Sequence, residues 1–127
     1  MPRLNGAVFS ANVAKDPEGR LSAHGIFAVV VASTASYEFG APIYVVANVT
    51  DVPRGNHVFG AIALDGLSFD SDALTLDCAT EDVLILLQIR NCRVDANGAH
   101  RLEFTCDGIA VDGCITLRLQ PPIPVIQ

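Results

Sequence analysis

Between Gly98 and Leu119 apolar and polar residues alternate, pause at two Asp-Gly pairs, and alternate again. Leu102, Phe104 and Cys106 take one face of the implied strand, and Arg101, Glu103 and Thr105 the other. Beyond Asp107-Gly108 and Asp112-Gly113, Ile115, Leu117 and Leu119 oppose Thr116, Arg118 and Gln120. Asp-Gly favours tight turns because glycine accepts positive φ without a steric penalty. The stretch therefore predicts a hairpin with one dry face and one wet face. Such a hairpin needs a second sheet to cover its dry side.

The same period recurs along the chain. Ala7–Val13 reads as a first strand, with Val8 and Phe9 as buried candidates. Leu21–Ser33 reads as a second, beyond a Lys15–Gly19 turn, and 32–40 as a loop. Ile43–Thr50 places Ile43, Val45, Ala47 and Val49 on one face. His57–Leu64 is a fourth strand closed by Asp65-Gly66, Ala73–Cys78 a short fifth, and Val83–Arg90 a sixth. No segment carries a capped apolar repeat of 3.6 residues. Short strands split by Gly, Pro, Asn and Asp indicate an all-β fold, a single-domain antiparallel sandwich of seven or eight strands spanning 1–127. Pro121, Pro122 and Pro124 end the sheet and leave a proline-rich tail at 121–127. An internal echo is also visible. Gly55-Asn-His57 leads through alternation to Leu64-Asp-Gly66, and Gly98-Ala-His100 leads likewise to Cys106-Asp-Gly108. Two edge-to-turn units of one type account for it.

With 127 residues the chain has room for one well-buried domain. No apolar run reaches the roughly 18 residues of a membrane helix, and the first residues lack the apolar core of a signal peptide, so no membrane partner is expected and the location expected is cytoplasmic. The net charge of −6 changes the picture more. Asp65, Asp70, Asp72, Asp77, Glu81 and Asp82 follow one another without a base, and acids balance bases elsewhere. A nucleic-acid partner, which needs a basic stripe, is excluded on this count.

Candidate chemistry is sparse. Cys78, Cys92, Cys106 and Cys114 form no C-x-x-C pair, and without an export signal they read as reduced, buried thiols. A Cys106–Cys114 bridge would need a turn centred near Ala110. No Gly-x-Ser-x-Gly elbow and no phosphate-cradling loop appears. His57 and His100 each follow a turn, where a histidine caps a strand end or meets solvent. Within 65–72, Asp65, Asp70 and Asp72 offer oxygen ligands for Ca²⁺, but without the spacing of an EF-hand loop. A solvated acidic loop is the plainer reading. Asn48-Val-Thr50 matches a glycosylation sequon but reads as a strand fragment.

Three stretches belong together: Ala11-Asn-Val13 with Gly19–Phe27, Pro42–Ala47 followed by a Gly-x-His strand, and the Gly98-x-His-x-Leu-x-Phe…Asp107-Gly108 hairpin. In their order and spacing they resemble a family of uncharacterised bacterial proteins. The resemblance implies an immunoglobulin-like β-sandwich and brings no activity with it. The four cysteines and the long acidic middle depart from the family pattern.

Excess apolarity gives the functional expectation. Ile26–Val31, Val83–Leu87 and His57–Leu64 are apolar on both faces, more than one small domain can hide. The chain thus reads as a non-enzymatic protein–protein association module without cofactor, self-associating as a homo-oligomer or serving as an assembly subunit. The alternative is a module for a small ligand or Ca²⁺ at 65–72.

Overall fold

Strands take up 69% of the molecule, and no helix forms among the described residues, so the fold is all-β. The computed structural model describes residues 1–32 and 34–122. Eleven strands follow one another: β1 (Arg3–Lys15), β2 (Leu21–Phe27), β3 (Val29–Val31), β4 (Tyr37–Glu38), β5 (Ile43–Thr50), β6 (Gly55–Ala63), β7 (Leu67–Asp70), β8 (Leu74–Cys78), β9 (Val83–Val94), β10 (Gly98–Cys106) and β11 (Ile109–Gln120). Eight of them make one curled path, β4-β9-β5-β1-β11-β10-β6-β8. Three branch from it: β2 beside β1, β3 beside β11 and β7 beside β9. Ser33, assigned to the second strand by the sequence pattern, and Pro124 of the tail lie outside the described residues. The 32–40 stretch, expected as a loop, contains the two-residue β4.

Local chemistry explains the β10–β11 hairpin. Asp107 and Gly108 have φ of 53° and 80°, both positive, as a two-residue turn matched to strand twist requires. Cys106 thus faces Ile109 across the turn, and Cys114 lies opposite Glu103. The bridge considered from sequence is ruled out by this register: Cys106 is buried, Cys114 is exposed, and all four cysteines are free thiols. The second Asp-Gly pair is a bulge. Between Glu103↔Cys114 and Thr105↔Ala110, Phe104 alone faces Val111–Gly113. The bulge turns the Asp112 N–H outward to the Pro2 carbonyl (3.1 Å), where β1 joins β11 at Arg3↔Asp112.

The dry faces meet in one core. Ile43, Val45, Ala47 and Val49 of β5 and Ile85, Leu87 and Ile89 of β9 are buried with Phe59, Leu102, Phe104, Leu117 and Leu119 from the other half. Phe9 joins them, whereas Val8 points to the outer face and is half-buried. One part of the molecule stands away from this core. The pairing of β1 with β5 ends at Ser10↔Tyr44, but β1 continues to Lys15 with β2 as its partner. Residues 11–25 therefore form a two-stranded arm whose turn is held by Asp16, which accepts from the backbone of Glu18 and Arg20.

Candidate functional site

The site is built where the two echoed units meet. Strands β6 and β10 are antiparallel neighbours, with Phe104 opposite Ala61. Each histidine stands four residues before that central pair, so the units are related by a local two-fold axis and point in opposite directions. Gly55 and Gly98, at φ of 122° and 108°, bend the chain into each strand. The bend returns a carbonyl to the histidine four residues later. His57 Nε2 lies 2.6 Å from the Pro53 oxygen, and His100 Nε2 lies 2.6 Å from the Ala96 oxygen. Each aspartate of an Asp-Gly pair then serves the other unit. Asp107 Oδ1 accepts the Val58 N–H (2.9 Å), and Asp65 Oδ2 accepts the Arg101 N–H (3.3 Å).

The two ends differ in what faces the second ring nitrogen. His100 Nδ1 accepts the Gly66 N–H at 3.0 Å, and the ring is buried with both nitrogens satisfied. His57 Nδ1 instead meets Asp107 Oδ2 at 2.6 Å. With acceptors at both nitrogens, the ring of His57 is fully bonded only when it carries both protons. The Asp107 hydrogen bond accordingly raises the His57 pKa above its ordinary value, and His57, with the Val58 N–H, holds Asp107 below the usual carboxylate range.

Cys106 precedes Asp107 and completes the group. One ligand atom each from His57, Cys106 and Asp107 lies within 4.8 Å of the others, the one such convergence of three groups among the described residues. Burial first, and then the negative charge of Asp107, push the Cys106 thiol up. An activated cysteine needs the opposite, a lowered pKa and a base with a free nitrogen. Here both nitrogens of His57 point at oxygens. The three side chains border a cleft of about 320 Å³ whose walls include Met1, Pro53 and Ile109, mostly apolar surface.

The acidic stretch is organised differently from the sequence expectation. Asp65 is held by the Arg101 guanidinium (3.1 and 3.4 Å). Asp72 takes a two-point bond from Arg90 (2.9 and 3.3 Å), and Asp70 accepts from the Asn91 amide at 2.9 Å. The three candidate Ca²⁺ ligands are thus each engaged by a different side chain instead of converging. Arg101 and Arg90 hold Asp65 and Asp72 below the ordinary carboxylate range. The sequence reading passed over the His57 group because its members come from the two units, 50 residues apart. The usable signal was the echo itself: pairing the units antiparallel brings each Asp-Gly to the other's Gly-x-His.

Comparison with protein-family models and with curated proteins returns no match. No helix among the described residues is long and apolar enough to cross a membrane.

Proposed function

We propose that this chain is a non-enzymatic association module that pairs with a second copy of itself through the outer face of β9, β5 and β1. The observation that carries the reading is the register of that face. Its outward rows are Gly6–Asn48–Leu84, Val8–Val46–Leu86 and Ser10–Tyr44–Gln88, with Ile26 beside Ser10. None of these ten residues is charged, and the Ser10 hydroxyl is buried against the Asn12 and His24 carbonyls. Leu84 is 55% exposed and Ile26 60% exposed. Two chains of net charge −6 repel at most approaches, and an uncharged face with exposed Leu84 and Ile26 lets them meet without burying an unpaired carboxylate. The arm supports the same reading. Among the described residues β2 bonds to β1 alone, and a free two-stranded ribbon is marginal in water. A second chain laid on this face would brace it.

The finer architecture belongs to this proposal. We read the curled sheet as an immunoglobulin-like sandwich, with β1, β5 and β9 in one layer and β11, β10, β6 and β8 in the other. What supports this is the strand order: β1, β5, β6, β9, β10 and β11 take the places of strands A, B, C, E, F and G of that topology. The four free thiols fit a reducing, cytoplasmic setting.

The test is light scattering on the eluted protein at micromolar concentration. The wild type is expected as a dimer and a Leu84→Glu, Leu86→Glu variant as a monomer. Ile109→Glu, an exposed isoleucine at the hairpin tip, leaves the dimer intact. A monomeric wild type overturns the reading.

A further inference from the structure

We infer that His57, Cys106 and Asp107 form a binding site for a thiophilic divalent cation of the zinc class. The argument is geometric and chemical. Nitrogen, sulfur and oxygen donors converge within 4.8 Å, with His57 paired to Leu76 and Cys106 paired to Phe59 on one side and Ile109 on the other. Tetrahedral zinc, with bonds of about 2.0–2.3 Å, places its ligand atoms about 3.3–3.8 Å apart. The 2.6 Å contact between His57 Nδ1 and Asp107 Oδ2 is shorter than that. Opening it by about 0.7 Å to the tetrahedral spacing asks for a small rotation of Asp107, whose side chain is 48% exposed. The second layer is already in place. A metal-bound histidine characteristically donates its remaining ring N–H to a carbonyl or carboxylate, and His57 Nε2 already lies on the Pro53 carbonyl. Nδ1 is therefore the ligating atom.

The donor set selects the ion. A thiolate with an imidazole suits zinc and related transition ions and is a poor match for Ca²⁺ or Mg²⁺. Three protein ligands leave the fourth position facing the cleft bounded by Met1, Pro53 and Ile109, where water or a ligand oxygen completes the shell. Binding displaces two protons, one from the Cys106 thiol and one from between His57 and Asp107. Affinity therefore rises with pH. No electron transfer is involved.

The experiment uses the reduced, metal-free full chain titrated with Co²⁺ and then Zn²⁺. One equivalent of Co²⁺ is expected to give a thiolate-to-cobalt charge-transfer band with tetrahedral d–d bands, and Zn²⁺ to bleach both. His57→Gln weakens binding about 100-fold or more, because losing a ligand costs at least what losing its second-layer partner does. Cys106→Ser abolishes the charge-transfer band, and Cys114→Ser, at the exposed thiol, leaves it unchanged. A readout without variants covers the case that Cys106→Ser does not fold: saturating Zn²⁺ shifts the His57 ring nitrogens in NMR and leaves those of His24 in place. The proposal is overturned by an absent charge-transfer band, by a band that depends on Cys114, by unmoved His57 resonances, or by binding that survives both substitutions. The dimer test above reads a different surface, so either proposal can fail alone.

Discussion

The two ends of the β6–β10 pair are built from the same pieces and arrive at different chemistry. At each end a glycine at positive φ sets a histidine over the carbonyl four residues back, and an aspartate from the opposite strand closes the next N–H. At the His100 end the second ring nitrogen meets a backbone donor, the aspartate turns to Arg101, and Leu64 precedes it. At the His57 end the ring meets the carboxylate itself, and Cys106 stands in the place of Leu64. One end is a closed structural joint. The other gathers three ligand types beside a cleft. The difference traces to one residue of spacing. Asp65 follows the histidine of its own unit, His57, by eight residues and Asp107 follows His100 by seven, and Asp107 is the one that reaches the ring of the other unit's histidine. A repeated motif thus supplies a scaffold, and a one-residue offset decides whether that scaffold becomes a site.

The largest effect is expected at the midpoint that both ends share. Phe104→Ala empties a fully buried position and should lower stability by about 3–5 kcal/mol in urea unfolding, loosening both ends together. His100→Leu comes next. It keeps the volume roughly constant but strands the Gly66 N–H and the Ala96 carbonyl, with an expected loss of about 2 kcal/mol and no change in Co²⁺ binding. A variant that bound Co²⁺ less well would show the two ends to be coupled.

Gly108→Ala tests the turn of the His57 end. Open space surrounds the added methyl group, so the cost is the left-handed conformation alone, about 1 kcal/mol by thermal melting. The smallest effect separates the ends by charge, in the metal-free protein. Asp65 and Asp107 both have lowered pKa values, so each contributes stability above the ordinary carboxylate range that is lost as pH falls through the folded value. His57, raised by Asp107, contributes stability that is complete below its unfolded pKa near 6.5 and is lost as pH rises through the higher folded value. Melting temperature should therefore decline on the alkaline side in the wild type and in Asp65→Asn. His57→Gln should remove that alkaline decline. If Asp65→Asn removed it instead, the assignment of the two ends would be reversed.

A second contrast bears on what could be read in advance. The β10–β11 hairpin was legible almost residue by residue, because Leu102, Phe104 and Cys106 alternate cleanly and Asp107-Gly108 is a strong turn signal. The β1–β2 hairpin was legible as two strands but not as an arm. Its pattern, Ala11 to Gly25, says that the chain is extended and says nothing of whether a third strand lies alongside. Asp112-Gly113 looked like a second turn and is a bulge, because the choice was made by the residues leading into β1, where the Pro2 carbonyl takes up the freed Asp112 N–H. Asp65, Asp70 and Asp72 read as a cluster because they are close in sequence. Extended backbone sends them to Arg101, Asn91 and Arg90 instead.

The sequence by itself did not determine the short strands β4 and β7, but it determined the longer strands, most of the faces they bury, the Asp107-Gly108 turn and the echo of His57 in His100. All of these follow from interactions within a few residues: the period of two, the φ freedom of glycine and the stiffness of proline. Only the tertiary structure decided which strands are neighbours, and with that which partner each histidine meets. His57 and Asp107 are 50 residues apart, and local chemistry cannot encode a contact whose geometry depends on the register of every strand between them.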